Sequence, residues 1–386
     1  MRKPLRHLAL TALLLAAAGV SAAAPAPAVY AESGTAAAKI NSSYVYFGIP
    51  GDYVKQVDAT NGALQLVKPN YFELNADGSL KLTAQAEGTF TKQMHDRGLR
   101  VVPYLTNDWD RTAGQNALAQ RDKLSDDLAA AVTRLGLDGI DIDIENVTGA
   151  DRDAYTDFVR LLRAKLPAGA ELSVAVPPPA EGMATSWEAA YDYQKLAQYS
   201  DYLMLMAYDE SYPGDPTPGP VASLPFVERS IQAALRVTTP DKLVLGVPFY
   251  GRLWKDGDAS FDGTGVTENM ADTLVARYNG TTAYDETQQS MKATFTVNAG
   301  DPATKILGRD LTPGTYTIWY ETDRSLQAKL ALVGKYGLKG TGSWSLGQET
   351  PSTWTNYSLW VNGSSFRDTM GHWAAADINQ PRQKGG

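Results

Sequence analysis

The chain has 386 residues, with 35 Lys and Arg against 43 Asp and Glu, a formal charge of −8, three histidines and no cysteine. The acidic balance argues against nucleic acid or an anionic membrane surface as a partner. Without cysteine or a histidine cluster, no zinc or transition-metal site is expected and no cofactor is anticipated, while the length suffices to bury a core without disulfides.

The first 31 residues read as a secretory leader. Arg2, Lys3 and Arg6 form a positive start, residues 8–20 an apolar run, and small residues lead to Val29-Tyr30-Ala31, with Ala24 an equally good cleavage point. A membrane anchor is the alternative, but the run is short of the ~20 residues that span a bilayer. Loss of the leader removes three positive charges and takes −8 to −11.

From about residue 40, short apolar runs alternate with helix-like stretches. Strands are expected at 44–48, 71–74, 100–105, 137–143, 172–176, 202–207, 243–247 and 340–344. Most are continuous apolar runs, as for strands covered on both faces. Amphipathic helices are expected at 118–135, 151–166, 226–235 and 325–336. Eight strands alternating with helices predict an α/β fold, a (β/α)8 TIM barrel over 40–350; on count alone a doubly wound open sheet is the alternative. Between strands seven and eight the pattern breaks. Residues 255–320 lack a long helical period, and strand-like runs at 293–297 and 315–320 with Tyr278, Tyr284, Phe295, Trp319 and Tyr320 predict a small α+β insertion rather than a disordered loop. Residues 351–386 form a separate tail.

The chemistry concentrates in Asp138-Gly139-Ile140-Asp141-Ile142-Asp143-Ile144-Glu145. Alternate residues of a strand share a face, so Asp141, Asp143 and Glu145 project together while Ile140, Ile142 and Ile144 pack against the helices. Three carboxylates in a barrel lumen repel one another, which is tolerable where protons are shared and pKa values are pushed apart. The run ends at the C-terminal mouth, where such barrels carry their active sites. Isoleucine at every second position fits neither a calcium loop nor a solvated acidic stretch.

This octapeptide resembles the DxxDxDxE signature of glycoside hydrolase family 18, the chitinase-type barrels. Met206-Ala207-Tyr208-Asp209 resembles the family's sixth-strand M-x-Y-D, residues 247–252 resemble its seventh-strand segment, and Trp344 after Gly342-Ser343 falls where the family places its eighth-strand tryptophan. The resemblance implies substrate-assisted catalysis on N-acetylglucosamine polymers, an exception to the two-carboxylate scheme. It implies Glu145 as the acid, Asp143 bonding the acetamido N–H, Asp141 sharing a proton with Asp143, and Asp138 and Gly139 structural in the motif. It further implies Tyr208 as donor to the acetamido carbonyl, Asp209 holding the sugar, Met206 lining the site and Trp344 as the floor under the reacting ring. Tyr250 and Arg252 are expected to contact sugar or to serve packing and ion pairing. Tyr46, Asn107, Asp108 and Trp109 are placed near the mouth, with helix capping the alternative for Asn107 and Asp108. The Pro- and Gly-rich stretch 209–221 is expected to be a shaped loop over the cleft.

The family's usual third-strand S-x-G-G is absent, and residues 101–107 (VVPYLTN) stand there instead. This resembles the bacterial branch of cell-wall N-acetylglucosaminidases, so peptidoglycan joins chitin as an expected polymer. In the tail, Phe366-Arg367-Asp368, Gly371-His372-Trp373-Ala374 and Ile378 resemble the opening of an S-layer-homology repeat, implying tethering to a cell-wall polymer. The expectation is therefore a retaining glycosidase, secreted or associated with a Gram-positive-type wall. A catalytically weak glycan-binding protein and a structural surface-layer protein are the other classes.

Overall fold

The computed structural model describes residues 39–179 and 187–362. The leader expected at 1–31 and the repeat-like residues 366–378 lie outside the described residues. Eight parallel strands close into a barrel: Ile40–Val45, Leu66–Leu74, Arg100–Val101 continuing as Tyr104–Thr106, Gly139–Asp143, Glu171–Val176, Tyr202–Leu205, Leu243–Pro248 and Gly340–Trp344. The ring shuts where the first strand pairs with both the eighth (Ile40 opposite Gly340) and the second (Ser42 opposite Leu66).

The strands form because their apolar residues find cover on both sides. Outward-pointing Ile140, Ile142, Leu172, Val174, Leu203, Leu205, Leu243 and Leu245 are all fully buried in the layer between strands and helices. The lumen holds a smaller cluster of Tyr44, Tyr104, Ala175, Tyr202, Met204 and Val244, against which Met206 and Trp344 pack. Among the surrounding helices, Arg121–Arg134, Arg152–Lys165, Leu224–Leu235 and Asp323–Lys335 match the expected four, and Ser223 and Thr322 cap the last two through side-chain oxygens.

The second strand is longer than expected and starts at Leu66. Its first half carries Lys68 and Pro69, which do not read as a buried strand. The third strand is broken at Val102-Pro103 for the related reason that proline cannot donate to the ladder.

The insertion is a five-stranded antiparallel sheet ordered Thr264–Thr267, Tyr250–Lys255, Gly314–Tyr320, Ser290–Val297, Thr281–Asp285. It therefore begins at Tyr250 rather than at 255. Its helix Glu268–Arg277, started by the Thr267 cap, was not legible as a helical period. Leu253, Phe261, Leu274, Ala293, Phe295, Tyr316 and Ile318 give it a core of its own. The tail also needs a new boundary: Thr353–Asn362 is a helix whose Trp354 and Tyr357 rings meet Phe249 edge-on at 5.6 and 6.0 Å, so the packed unit extends past 351. Among the described residues, no helix is long and apolar enough to cross a membrane.

Candidate active site

The fourth strand does what its alternation requires. Ile140, Ile142 and Ile144 are fully buried toward the helices, and Asp141 and Asp143 are buried on the opposite face. Gly139 is there because the fifth strand runs too close for a side chain: a Cβ would lie 2.2 Å from the Glu171 carbonyl oxygen. Asp138 lies at the far end, where its Oδ2 accepts from the Val101 amide at 2.7 Å and lies 2.8 Å from His95 Nε2. Both residues make their contacts within the frame of the barrel.

Asp141 is held by three strands. Lys68 Nζ is 2.9 Å from Oδ1, Ser173 donates a short bond to the same oxygen, and Tyr44 OH donates to Oδ2 at 2.7 Å. Asp141 thus has the Lys68 ammonium as a partner, beside the proton shared with Asp143 that the resemblance implies. Sequence reasoning missed Lys68, Ser173 and Tyr44. A lysine in an apolar strand was the one available signal, since a buried lysine requires a counter-charge.

Asp143 is different. Its Oδ1 is buried with no hydrogen-bond partner. Burial pushes its carboxyl well above the usual range, the charges of Glu145 and Asp141 push further, and Lys68 pulls back. Glu145, at the strand's C-terminal end, is pushed up to about 7, first by burial and then by the charge of Asp209. Its backbone is fixed by Asn107, whose Oδ1 accepts from the Glu145 amide and whose Nδ2 donates to its carbonyl, each at 2.8 Å. Asn107 is only 3% exposed. Expected near the mouth as a sugar contact or a helix cap, it holds the Glu145 backbone and donates to the Asp110 carbonyl.

Tyr208 stands beside this row, its hydroxyl raised well above its ordinary value by burial and then by Asp143 and Glu145, so it is a neutral donor. Next to it, Asp209 turns at a positive φ of 57°. Its Oδ1 accepts from Tyr250 OH and from Arg252 Nη2, both at 2.6 Å. Arg252 also donates to the carbonyls of Ser211 and Gly263 at 3.3 Å. Tyr250 and Arg252, expected to contact sugar or to serve packing and ion pairing, are both buried and hold Asp209 and its loop.

Trp344 lies against Tyr44 at 5.3 Å and Tyr46 at 5.7 Å, with Tyr104 edge-on at 6.1 Å, giving an aromatic surface at the top of the lumen. Tyr46 is 41% exposed at the rim. A cavity of about 1250 Å³ opens beside Glu145, Met206, Tyr208 and Asp209. Its wall includes Trp109 and Trp187, whose rings meet at 5.1 Å. Trp187 was not singled out from sequence, and lone tryptophans give no periodic signal.

A cavity bordered by one protonatable carboxyl and a neutral phenol, with a second raised carboxyl buried behind them, can protonate a leaving group and steady a cation. Comparison with known proteins identifies the family. The model of the family described as Glycosyl hydrolases family 18 matches residues 42–349. A putative sporulation-specific glycosylase of Bacillus subtilis is 30% identical over 61% of this chain and 53% of its own length. A cortical fragment-lytic enzyme of Bacillus anthracis is 25% identical over 73% of this chain and 65% of its own. The chain thus spans between half and two thirds of these curated relatives. Among solved structures, a chitinase from Chromobacterium violaceum superposes with a TM-score of 0.72 at 24% identity, covering 85% of this chain and 99% of that one. The chain belongs to glycosyl hydrolase family 18.

Proposed function

We propose that this protein is a retaining glycosidase that cleaves β-1,4 bonds next to N-acetylglucosamine in peptidoglycan or chitin by substrate-assisted catalysis. The observation that carries the reading is the row formed by Asp143 and Glu145: two carboxyl groups held above their ordinary range beside a neutral Tyr208 hydroxyl.

Protonated Glu145 gives its proton to the glycosidic oxygen as the bond to the anomeric carbon breaks. The substrate's own acetamido carbonyl attacks that carbon, giving an oxazolinium ion. Asp143, as the anion, accepts the acetamido N–H and offsets the new positive charge, and Tyr208 donates to the acetamido oxygen. Glu145, now a carboxylate, takes a proton from the water that opens the oxazolinium, and the configuration is retained. Proximity replaces a protein nucleophile, and charges already in place replace solvent reorganisation. Asp209, locked by Tyr250 and Arg252, faces the sugar, and Trp344 is the floor.

The relatives described as cortical fragment-lytic enzymes and as chitinases support both polymers as substrates. The leader-like start supports action outside the cytoplasm, and the repeat-like residues of the tail support attachment to a wall polymer. Mass spectrometry of products from purified peptidoglycan and from chitin oligomers, side by side, tests the substrate. Release of N-acetylglucosamine-terminated fragments from either supports the reading, and no release from both contradicts it.

A further inference from the structure

The mechanism above gives Lys68 no part, yet a lysine in the middle of a barrel lumen is costly. Taking an ammonium out of water costs several kcal/mol unless the charge is paired and its donors are satisfied. Lys68 is fully buried on the second strand, in register with Tyr44. Its Nζ donates to Ser173 Oγ at 2.8 Å and lies 2.9 Å from Asp141 Oδ1, over the ring faces of Tyr44 and Tyr202 at 5.5 and 5.1 Å. Asp141 therefore meets donors on both oxygens, the ammonium and the Ser173 hydroxyl on one and the Tyr44 hydroxyl on the other. A proton placed on Oδ1 would face an ammonium that has nothing to accept with. Three donors take up three of the roughly four lone-pair sites of the Asp141 carboxylate.

We propose that Lys68 is a positioning residue of the catalytic row: its ammonium pairs with Asp141 and, through its charge, favours the anion at Asp143. The effect on turnover rests on the glycosidase reading given above, whereas the ion pair itself does not. The groups around Asp143 divide clearly. Asp141 and Glu145 on its own strand oppose its ionisation, and Lys68 from the second strand favours it. Tyr44 from the first strand, Tyr104 from the third and Tyr208 from beyond the sixth are raised well above their ordinary value, as are Tyr155 and Tyr191 behind the row. All five stay neutral at physiological pH. Lys68 is thus the cation that lets Asp143 become an anion when positive charge develops on the substrate.

The test is a ¹³C NMR titration of the Asp143 carboxyl, assigned with Asp143→Asn and recorded without substrate. It compares wild type, Lys68→Met, Asp141→Asn and the double variant Lys68→Met/Asp141→Asn. A neighbouring charge moves a carboxyl by ~1–3 pH units. The Asp143 midpoint should move up by at least about one unit in Lys68→Met, which leaves the Asp141 charge uncompensated. It should move down in Asp141→Asn, which leaves the cation, and return near wild type in the double variant. The acid limb of kcat/KM against pH should move the same way. Shifts of one sign in both single variants, or pH profiles that differ only in scale, overturn the proposal. Where a single variant does not fold, the double variant still decides, because a buried pair can often be removed whole; a midpoint far from wild type there overturns it. A wild type inactive on both glycans would remove the proposed reaction and leave the NMR result standing.

Discussion

A solvated glutamate is ionised at neutral pH, but Glu145 sits in a wall with Trp109, Met206 and Tyr208, where burial and the charge of Asp209 bring its carboxyl to about 7. A general acid works only while protonated, so kcat/KM should fall as pH rises through about 7. Asp209→Asn removes the charge that holds the proton on, so that limb should move to lower pH. Profiles of kcat/KM against pH for the two proteins check the sign. Glu145→Gln should lower kcat by ~10²–10⁴-fold or more. A carboxyl raised from 4.5 to about 7 on folding contributes stability that is full below its ordinary range and lost as pH rises through about 7. The same variant should therefore have a higher Tm than wild type at pH 8 and no advantage near pH 4, as calorimetry would show. Asn107→Ala should separate placing from binding. It removes both bonds to the Glu145 backbone, so kcat should drop by about tenfold or more with KM little changed, and stability by ~1–3 kcal/mol for the buried groups left unpaired. A variant with raised KM and intact kcat would return Asn107 to the sugar contacts.

At the level of single elements, the fourth strand was the most legible because its two faces have opposite needs. Isoleucines must face the helices and carboxylates the lumen, and only a strand of that register satisfies both. Gly139 belongs to the same constraint, since its missing side chain lets the fifth strand approach. Gly139→Ala should destabilise the protein by at least ~1–3 kcal/mol, the usual cost of overpacking, because a backbone carbonyl rather than a flexible side chain blocks the added methyl. Chemical denaturation would measure it, and a cost below ~0.5 kcal/mol would show that the strands separate easily. The second strand was half hidden because the residue that serves the site there, Lys68, breaks the apolar pattern that marks a strand. Arg252 and Tyr250 were ambiguous for another reason. Whether a polar side chain at a strand end meets substrate or the neighbouring loop depends on the seventh strand running on into the insertion sheet, and spacing does not encode that.

For the whole molecule, the alternation of eight strands and their helices made the barrel readable. The junction between barrel and insertion was not, because it is built from groups far apart in sequence. Glu268, at the start of the insertion helix, is fully buried and accepts from the Thr350 amide at 3.2 Å. Glu321 pairs with buried Lys329 at 2.7 Å, and Glu349 accepts from Trp354 Nε1 at 2.8 Å. Burial raises all three carboxyls, and the charge of Glu321 raises Glu268 further. A carboxyl raised on folding favours the native state at low pH, and that stability is lost as pH climbs above the ordinary carboxyl range through the raised value. Tm should accordingly decline from mildly acidic toward alkaline pH, and Glu268→Gln should flatten the decline. An unchanged slope in the variant would place the pH sensitivity elsewhere.

In the proposed reaction the substrate's acetamido group is the nucleophile, and this chain supplies the acid and the anion around it. Time-resolved ¹H NMR of a chitin oligosaccharide and its fully deacetylated counterpart, at equal concentration, tests it directly. The acetylated sugar should be cut, with the β-anomer appearing first, and the deacetylated sugar should be inert. Comparable cleavage of the deacetylated sugar, or an α-anomer as the first product, would contradict it.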